Sequence, residues 1–297
     1  MAIKSGIYAA SVSVVSKDMS LDADSTILHA ERLIKDGCHG VIIFGSTGMA
    51  QLISSSEKKK LIEKLANNKF KNNLIIGTGN NSLKENIDIM KHCLKNGIKS
   101  FLLMPPAYYK YDDEGVFAFF SNIIQKVPES EIILYNFEKL SGYKFNNKIV
   151  ERLVKNFPKQ ILGVKDSSYN LYETLKIPNF LVFPGSEKKL LKGLELGCDG
   201  IISAVCNVTA PLARKVYDDF KNKKMQTLNQ KLCDVRSVFD EYNLISSLHS
   251  FMSTENEVYK IVLPPLVLLN EEKKNILISK LKELNFFPEK NIAAQLC

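Results

Sequence analysis

Short apolar runs alternate with amphipathic stretches along most of the chain. Eight runs read as strands: 7–15, 40–44, 74–77, 100–104, 132–135, 161–165, 180–183 and 200–203. Between them, stretches 25–35, 56–67, 83–96, 115–127, 148–156 and 188–196 place apolar residues at helical spacing. Asp36-Gly37, Asn96-Gly97 and Leu196-Gly197 each close such a stretch just before the next run, where glycine suits a left-handed helix cap. Strands separated by helices pair in parallel, because each helix carries the chain back across the sheet. Eight such units fit a closed (β/α)8 TIM barrel better than an open doubly wound sheet. No Gly-x-Gly-x-x-Gly follows the first run, and Gly77-Thr78-Gly79 reads as a turn, so a dinucleotide site is not indicated. From about Ala210 onward the pattern is mainly helical, interrupted at Pro264-Pro265. One helix closes the barrel after the eighth strand. The expected division is therefore a catalytic barrel over 1–225 and an extra C-terminal helical region over 226–297, packed on its outside.

At 297 residues the length alone allows either two ordinary domains or one barrel. A hydrophobic content of 45% and a charged content of 24% are those of a folded globular chain. Residues 1–6 lack the apolar core of a secretory signal, and no apolar run approaches the roughly 18 residues of a membrane span. A cytoplasmic protein without a membrane partner is expected. The cysteines at 38, 93, 198, 206, 233 and 297 form no Cys-x-x-Cys pair and read as reduced core residues. None of the four histidines has the spacing of a metal pair, so no metal site is expected. The formal charge of +8 is spread over predicted helices and not gathered into a stripe. This disfavours nucleic acid as a partner and leaves a modest attraction for small anionic substrates.

In such a barrel, chemistry gathers where the C-terminal ends of the strands meet the loops that follow. Gly45-Ser46-Thr47-Gly48 follows the second predicted strand, Tyr108-Tyr109 the fourth, and Tyr135-Asn136 the fifth; Lys165 ends the sixth, and Gly185-Ser186-Glu187 follows the seventh. Lys165 is the most informative of these. It ends the apolar run Ile161-Leu162-Gly163-Val164 and precedes Asp166-Ser167-Ser168. A charged lysine costs several kcal/mol to desolvate, so one tethered to a core strand tends toward its neutral form, which attacks carbonyl carbon. The plainer alternatives are a strand-end lysine reaching water, a core tyrosine at 135, and a helix N-cap at Ser46-Thr47. Hydroxyl groups converging on one amine from several loops favour a site.

These residues resemble the pyruvate-dependent class I aldolases that include dihydrodipicolinate synthase, N-acetylneuraminate lyase and 2-keto-3-deoxygluconate aldolase. The likeness covers most of the chain and rests on Gly45-Ser46-Thr47-Gly48 with Ser56-Glu57-Lys58, Tyr135-Asn136, Gly163-Val164-Lys165-Asp166, and Gly200-Ile201-Ile202-Ser203. It implies that Lys165 forms an imine with pyruvate or a 2-oxo acid that yields it, and that Tyr135 is its proton partner. Ser46 and Tyr108 then form a relay to solvent, the tyrosine of which commonly comes from a neighbouring subunit in this family. Thr47, with the backbone of the turn ending at Gly48, would hold the substrate carboxylate; Ser167, Gly185, Glu187, Ile202 and the residue at 140 would line the rest of the substrate site. The imine is its own electron sink, so no metal or cofactor is implied. A homodimer or homotetramer is expected.

The aldehyde is less determined. Dihydrodipicolinate synthases usually carry a carboxylate-gripping arginine shortly after Tyr-Asn, where this chain has Leu140, which cannot make that bridge. Leu140-Ser141-Gly142 looks more like the sialic acid lyases, yet their acidic pair after the seventh strand is matched by Glu187-Lys188, and a serine after the eighth by Ala204. Val164-Lys165-Asp166, Gly185-Ser186 and Ser167 resemble the 2-keto-3-deoxy sugar-acid aldolases. A 2-oxo-3-deoxy sugar acid is the first expectation, with the other two activities as alternatives. A different class of reading is a catalytically silent relative that binds a small oxo acid.

Overall fold

A computed structural model describes residues 3–287. In chain order the elements are β1 (Gly6–Ala10), α1 (Ala23–Lys35), β2 (Gly40–Ile43), α2 (Ser55–Leu65), β3 (Leu74–Gly77), α3 (Leu83–Lys95), β4 (Ser100–Leu103), α4 (Asp113–Lys126), β5 (Glu131–Asn136), α5 (Glu138–Ser141), α6 (Asn147–Asn156), β6 (Ile161–Asp166), β7 (Leu181–Pro184), α7 (Leu190–Glu195), β8 (Gly200–Ser203), α8 (Cys206–Lys221), α9 (Asn229–Asp240), α10 (Leu244–Met252) and α11 (Glu271–Glu283). The eight strands form one parallel sheet in the order β7-β6-β5-β4-β3-β2-β1-β8. Its two ends meet at Asp199: the backbone N–H donates to the Val182 carbonyl at 2.9 Å, and the carboxylate accepts the Val182 N–H at 2.9 Å. The expected (β/α)8 barrel is thus observed.

Period-two alternation sorts the strand side chains into two layers. Tyr8, Ile42, Ile75, Leu102, Ile133, Tyr135, Phe183 and Ile202 pack together inside the ring. Their strand neighbours, among them Ile7, Val41, Ile76, Leu103, Leu134 and Val164, pack outward beneath the helices. Gly37, Gly97 and Gly197 take the left-handed conformation expected of them, with φ of 112°, 76° and 88°.

One expectation needs correction. The first apolar run does not stay a strand to residue 15: β1 ends at Ala10. Beyond it, side chains take over the backbone donors, Val12 N–H bonding to Asn207 Oδ1 at 3.0 Å and Val14 N–H to Thr26 Oγ1 at 2.9 Å. The sixth β/α unit has no helix. Residues 167–180 return from β6 to β7 through turns, held by the Asp166 carboxylate, which accepts the N–H groups of Tyr169, Leu171 and Tyr172.

After α8 closes the barrel, residues 222–228 lead to α9, α10 and α11. Leu232, Val235, Phe239, Leu248, Phe251, Leu277 and Leu281 belong to the same apolar cluster as the outer barrel layer. Among the described residues no helix is long and apolar enough to cross a membrane. Cys38, Cys93, Cys198 and Cys206 are buried free thiols and Cys233 is partly buried; Cys297 lies outside the described residues.

Candidate active site

Lys165 and Tyr135 are direct partners in the β5–β6 pairing, and that register is not the simple one. Ile132 pairs with Ile161, but the next partner of Ile133 is Gly163, so Leu162 is an extra residue on β6. Such a bulge rotates everything after it by one position. Without it, Val164 would oppose Tyr135. With it, Lys165 stands beside Tyr135 on the interior face, its Nζ 4.2 Å from the centre of the phenol ring.

The lysine is 3% exposed. Its Nζ makes no hydrogen bond or ion pair with any described residue, and it opens on a cavity of about 460 Å³. The adjacent Asp166 does not pair with it. That carboxylate is engaged by the 169–172 backbone and by Asn136 Nδ2 at 2.8 Å, while Asn136 Oδ1 accepts the Phe145 N–H at 3.1 Å. These two residues therefore build the ends of β5 and β6 and leave the amine unencumbered.

On the other side of Tyr135, its hydroxyl and Ser46 Oγ are 3.0 Å apart, either able to donate. Ser46 and Thr47 lie in the turn after β2, where Gly48 N–H bonds back to the Gly45 carbonyl at 3.1 Å. The N–H groups of Ser46 and Thr47 and the Thr47 hydroxyl bond to no described residue. The turn thus keeps three donors for an anion, but Gly48 supplies none of them.

Ser46, Thr47, Tyr135, Lys165, Ser167 and Gly185 all line the cavity. Gly185 packs closely there: a Cβ on it would stand 2.2 Å from Ser167 Oγ, which would have to rotate away, and 3.1 Å from Ser167 Cα. The remaining expected residues lie elsewhere. Ile202 is sealed in the barrel interior beneath Tyr135. Leu140 lines an adjoining cavity of about 490 Å³, which shares Ser46, Thr47 and Tyr135 with the first. Tyr108 is 89% exposed, with a left-handed φ of 86°, edge-on to the ring of the 76% exposed Tyr109, and meets neither Ser46 nor Tyr135 of its own chain. Glu187 is fully buried and does not face the cavity; its Oε2 accepts from Ser203 Oγ and Arg236 Nη1, both at 2.7 Å.

Sequence reasoning missed Arg236 and Asp240, which bring α9 to the cavity mouth. Arg236 also donates from Nη1 to Ser203 Oγ at 2.9 Å and from Nε to Asp240 Oδ1 at 2.8 Å. Burial opposes its charge, but Glu187 and Asp240 outweigh that and hold its pKa above the usual value. The C-terminal region is therefore part of the site's wall, not only packing outside the barrel. The i,i+4 spacing of Arg236 and Asp240 was visible in the sequence; the partnership with Glu187, 49 residues away, was not.

Comparison with known proteins agrees with this geometry. A sequence model of the dihydrodipicolinate synthetase family matches residues 4–284. The chain is 29% identical over 294 residues to a 4-hydroxy-tetrahydrodipicolinate synthase of Methanothrix thermoacetophila, covering 94% of this chain and 97% of that one. It is 27% identical to an uncharacterized DapA-like lyase of Chloroflexus aurantiacus, covering 92% and 94%. The crystal structure of dihydrodipicolinate synthase from Agrobacterium tumefaciens superposes with a TM-score of 0.86 at 26% identity, covering 95% of this chain and 99% of that one. The chain belongs to the dihydrodipicolinate synthetase family of class I aldolase-type lyases.

Proposed function

We propose that this lyase cleaves, and in reverse forms, a 2-oxo-3-deoxy sugar acid, giving pyruvate and an aldehyde through an imine at Lys165. The observation that carries this reading is an unpaired lysine amine inside the barrel, 4.2 Å from the ring of a tyrosine whose hydroxyl bonds to Ser46. The amine attacks C2 of the oxo acid, and the carbinolamine loses water to give the imine. The protonated imine draws the electrons of the C3–C4 bond as it breaks, while the C4 hydroxyl gives its proton to the Tyr135–Ser46 pair. The aldehyde leaves. The enamine is protonated at C3, and water releases pyruvate and the free amine. The open donors of Ser46 and Thr47 suit the C1 carboxylate.

Tyr108 completes the relay to solvent from a second copy of the chain, a reading supported by its exposure and by its lack of contact with Ser46 and Tyr135 of its own chain. The second reading is 4-hydroxy-tetrahydrodipicolinate synthase activity on pyruvate and aspartate semialdehyde. The names of several relatives favour it, as does Lys139, which lines the cavity beside Leu140 and could meet a carboxylate. Borohydride added with pyruvate should abolish activity and leave a reduced adduct on Lys165 by peptide mass mapping. An unlabelled, fully active enzyme would refute the imine. Scoring pyruvate made or consumed across 2-oxo-3-deoxy acids, sialic acid, and pyruvate with aspartate semialdehyde separates the substrates.

A further inference from the structure

We infer that Arg236 and Asp240 are specificity residues that read hydroxyl groups on the aldehyde half of the substrate, selecting a neutral polyhydroxy chain over a carboxylate-bearing one. The inference rests on the proposed imine reading and goes beyond it by naming what else lines the cavity that holds Lys165.

A guanidinium has five N–H donors, and it grips a carboxylate through two neighbouring nitrogens at once. In Arg236 that fork is closed. Nε is spent on Asp240 Oδ1 at 2.8 Å, and the two hydrogens of Nη1 are spent on Glu187 Oε2 at 2.7 Å and Ser203 Oγ at 2.9 Å. Nη2 alone bonds to no described residue and is not sealed from solvent. One nitrogen suits a single oxygen.

The surrounding charges point the same way. Glu187 and Asp240 offset Arg236, and Lys188 Nζ lies 3.7 Å from Asp240 Oδ2, so the cluster of two cations and two acids is close to neutral. The Asp240 side chain is 35% exposed and lines the cavity, so this near-neutral cluster offers an acceptor there and no net charge to draw in a carboxylate. A donor and an acceptor side by side match a hydroxyl, which accepts from Nη2 and donates to Asp240. Ser167 and Ser168 add hydroxyls to the same wall, and Ser168 Oγ, which accepts the Glu138 N–H at 2.9 Å, retains its own proton to donate.

The test compares two substrates in Asp240→Asn and Asp240→Ala: 2-oxo-3-deoxygluconate, which releases glyceraldehyde, and 4-hydroxy-2-oxopentanoate, which releases acetaldehyde. Asparagine keeps an acceptor for Arg236 Nε, so that variant reports on the lost charge, and far-ultraviolet circular dichroism checks that both fold. The ratio of kcat/KM for the longer acid to that for the shorter should fall roughly 10- to 100-fold, the range for a hydrogen bond to a charged group. An unchanged ratio, or equal losses on both acids, overturns the inference. If the wild type traps pyruvate at Lys165 yet uses aspartate semialdehyde in preference to every polyhydroxy aldehyde, this inference falls and the imine reading stands. If no pyruvate is trapped, the imine reading falls and takes this one with it.

Discussion

Tyr135 divides the labour of the site at the scale of single atoms. Its ring covers Lys165, while its hydroxyl is held by Ser46 at 3.0 Å. Tyr135→Phe keeps the packing and removes only the hydroxyl that we propose carries the proton. General acid–base groups of this kind contribute 10²- to 10⁴-fold, so kcat for pyruvate release should drop within roughly that range while borohydride still labels Lys165. A drop below about tenfold would remove Tyr135 from the proton path. Arg236 and Glu187 are instead tied to each other: both are buried, and Arg236 Nη1 donates to Glu187 Oε2 at 2.7 Å. A lone residue of that pair would be a poor substitute for either the donor or the acceptor it lost.

At the scale of elements, the bulge at Leu162 is what aligns the amine. β6 carries Gly163 immediately after it, and the glycine is there for want of room: an added Cβ would meet the Leu181 carbonyl oxygen at 2.5 Å and Ile133 Cδ1 at 2.9 Å. The first of these is backbone of the neighbouring strand, which cannot swing aside. Gly163→Ala should therefore lower the urea unfolding free energy by about 1–3 kcal/mol and disturb the β5–β6 register, cutting activity more than a surface substitution would. Unaltered stability would show that the strands yield more easily than close packing allows. The strands and helices themselves were mostly legible beforehand, since burial on one face imposes a period that can be counted along the chain. The sequence already lacked a helical stretch between β6 and β7; the turns that fill this gap were not legible, because they depend on one side chain, Asp166, collecting three backbone donors. The reach of α9 into the site escaped notice because the Arg236–Glu187–Ser203 cluster joins residues far apart in the chain.

Across the whole molecule, two buried histidines tie the barrel to the C-terminal helices and set its response to acid. His29 Nε2 bonds to Asn207 Oδ1 at 2.7 Å and Nδ1 to the Tyr259 hydroxyl at 2.8 Å; His249 Nδ1 bonds to the Tyr259 carbonyl at 3.0 Å. Burial, with Arg32 adding to it, pushes His29 down to about 3, and burial pushes His249 down to about 4. The unfolded chain takes up these protons near pH 6.5, well before the folded protein does, so acid favours unfolding. Stability should be complete above pH 6.5 and fall as the pH drops toward 4, with each histidine contributing a slope of up to about 1.4 kcal/mol per pH unit. Urea midpoints between pH 7 and 4.5 measure this. His249→Asn should flatten the fall, and an equally steep fall in that variant would place the sensitivity elsewhere.

Alternation of apolar runs with helical periods was enough to imply a parallel sheet covered by helices, and eight such units with no dinucleotide fingerprint after the first fit a closed ring better than an open doubly wound sheet. Strand-end position was enough to single out Lys165 and Tyr135, and the turn after β2 could be read for Ser46 and Thr47. Register lay beyond that reading. Whether Lys165 or Val164 stands opposite Tyr135 depends on one extra residue in β6, and a linear pattern does not say where two strands slip past each other. Glu187 was read as facing substrate for the same reason. Its loop position is local information, but the cation that claims it comes from a helix packed on the barrel only after folding, and a buried carboxyl goes to the partner that best replaces water.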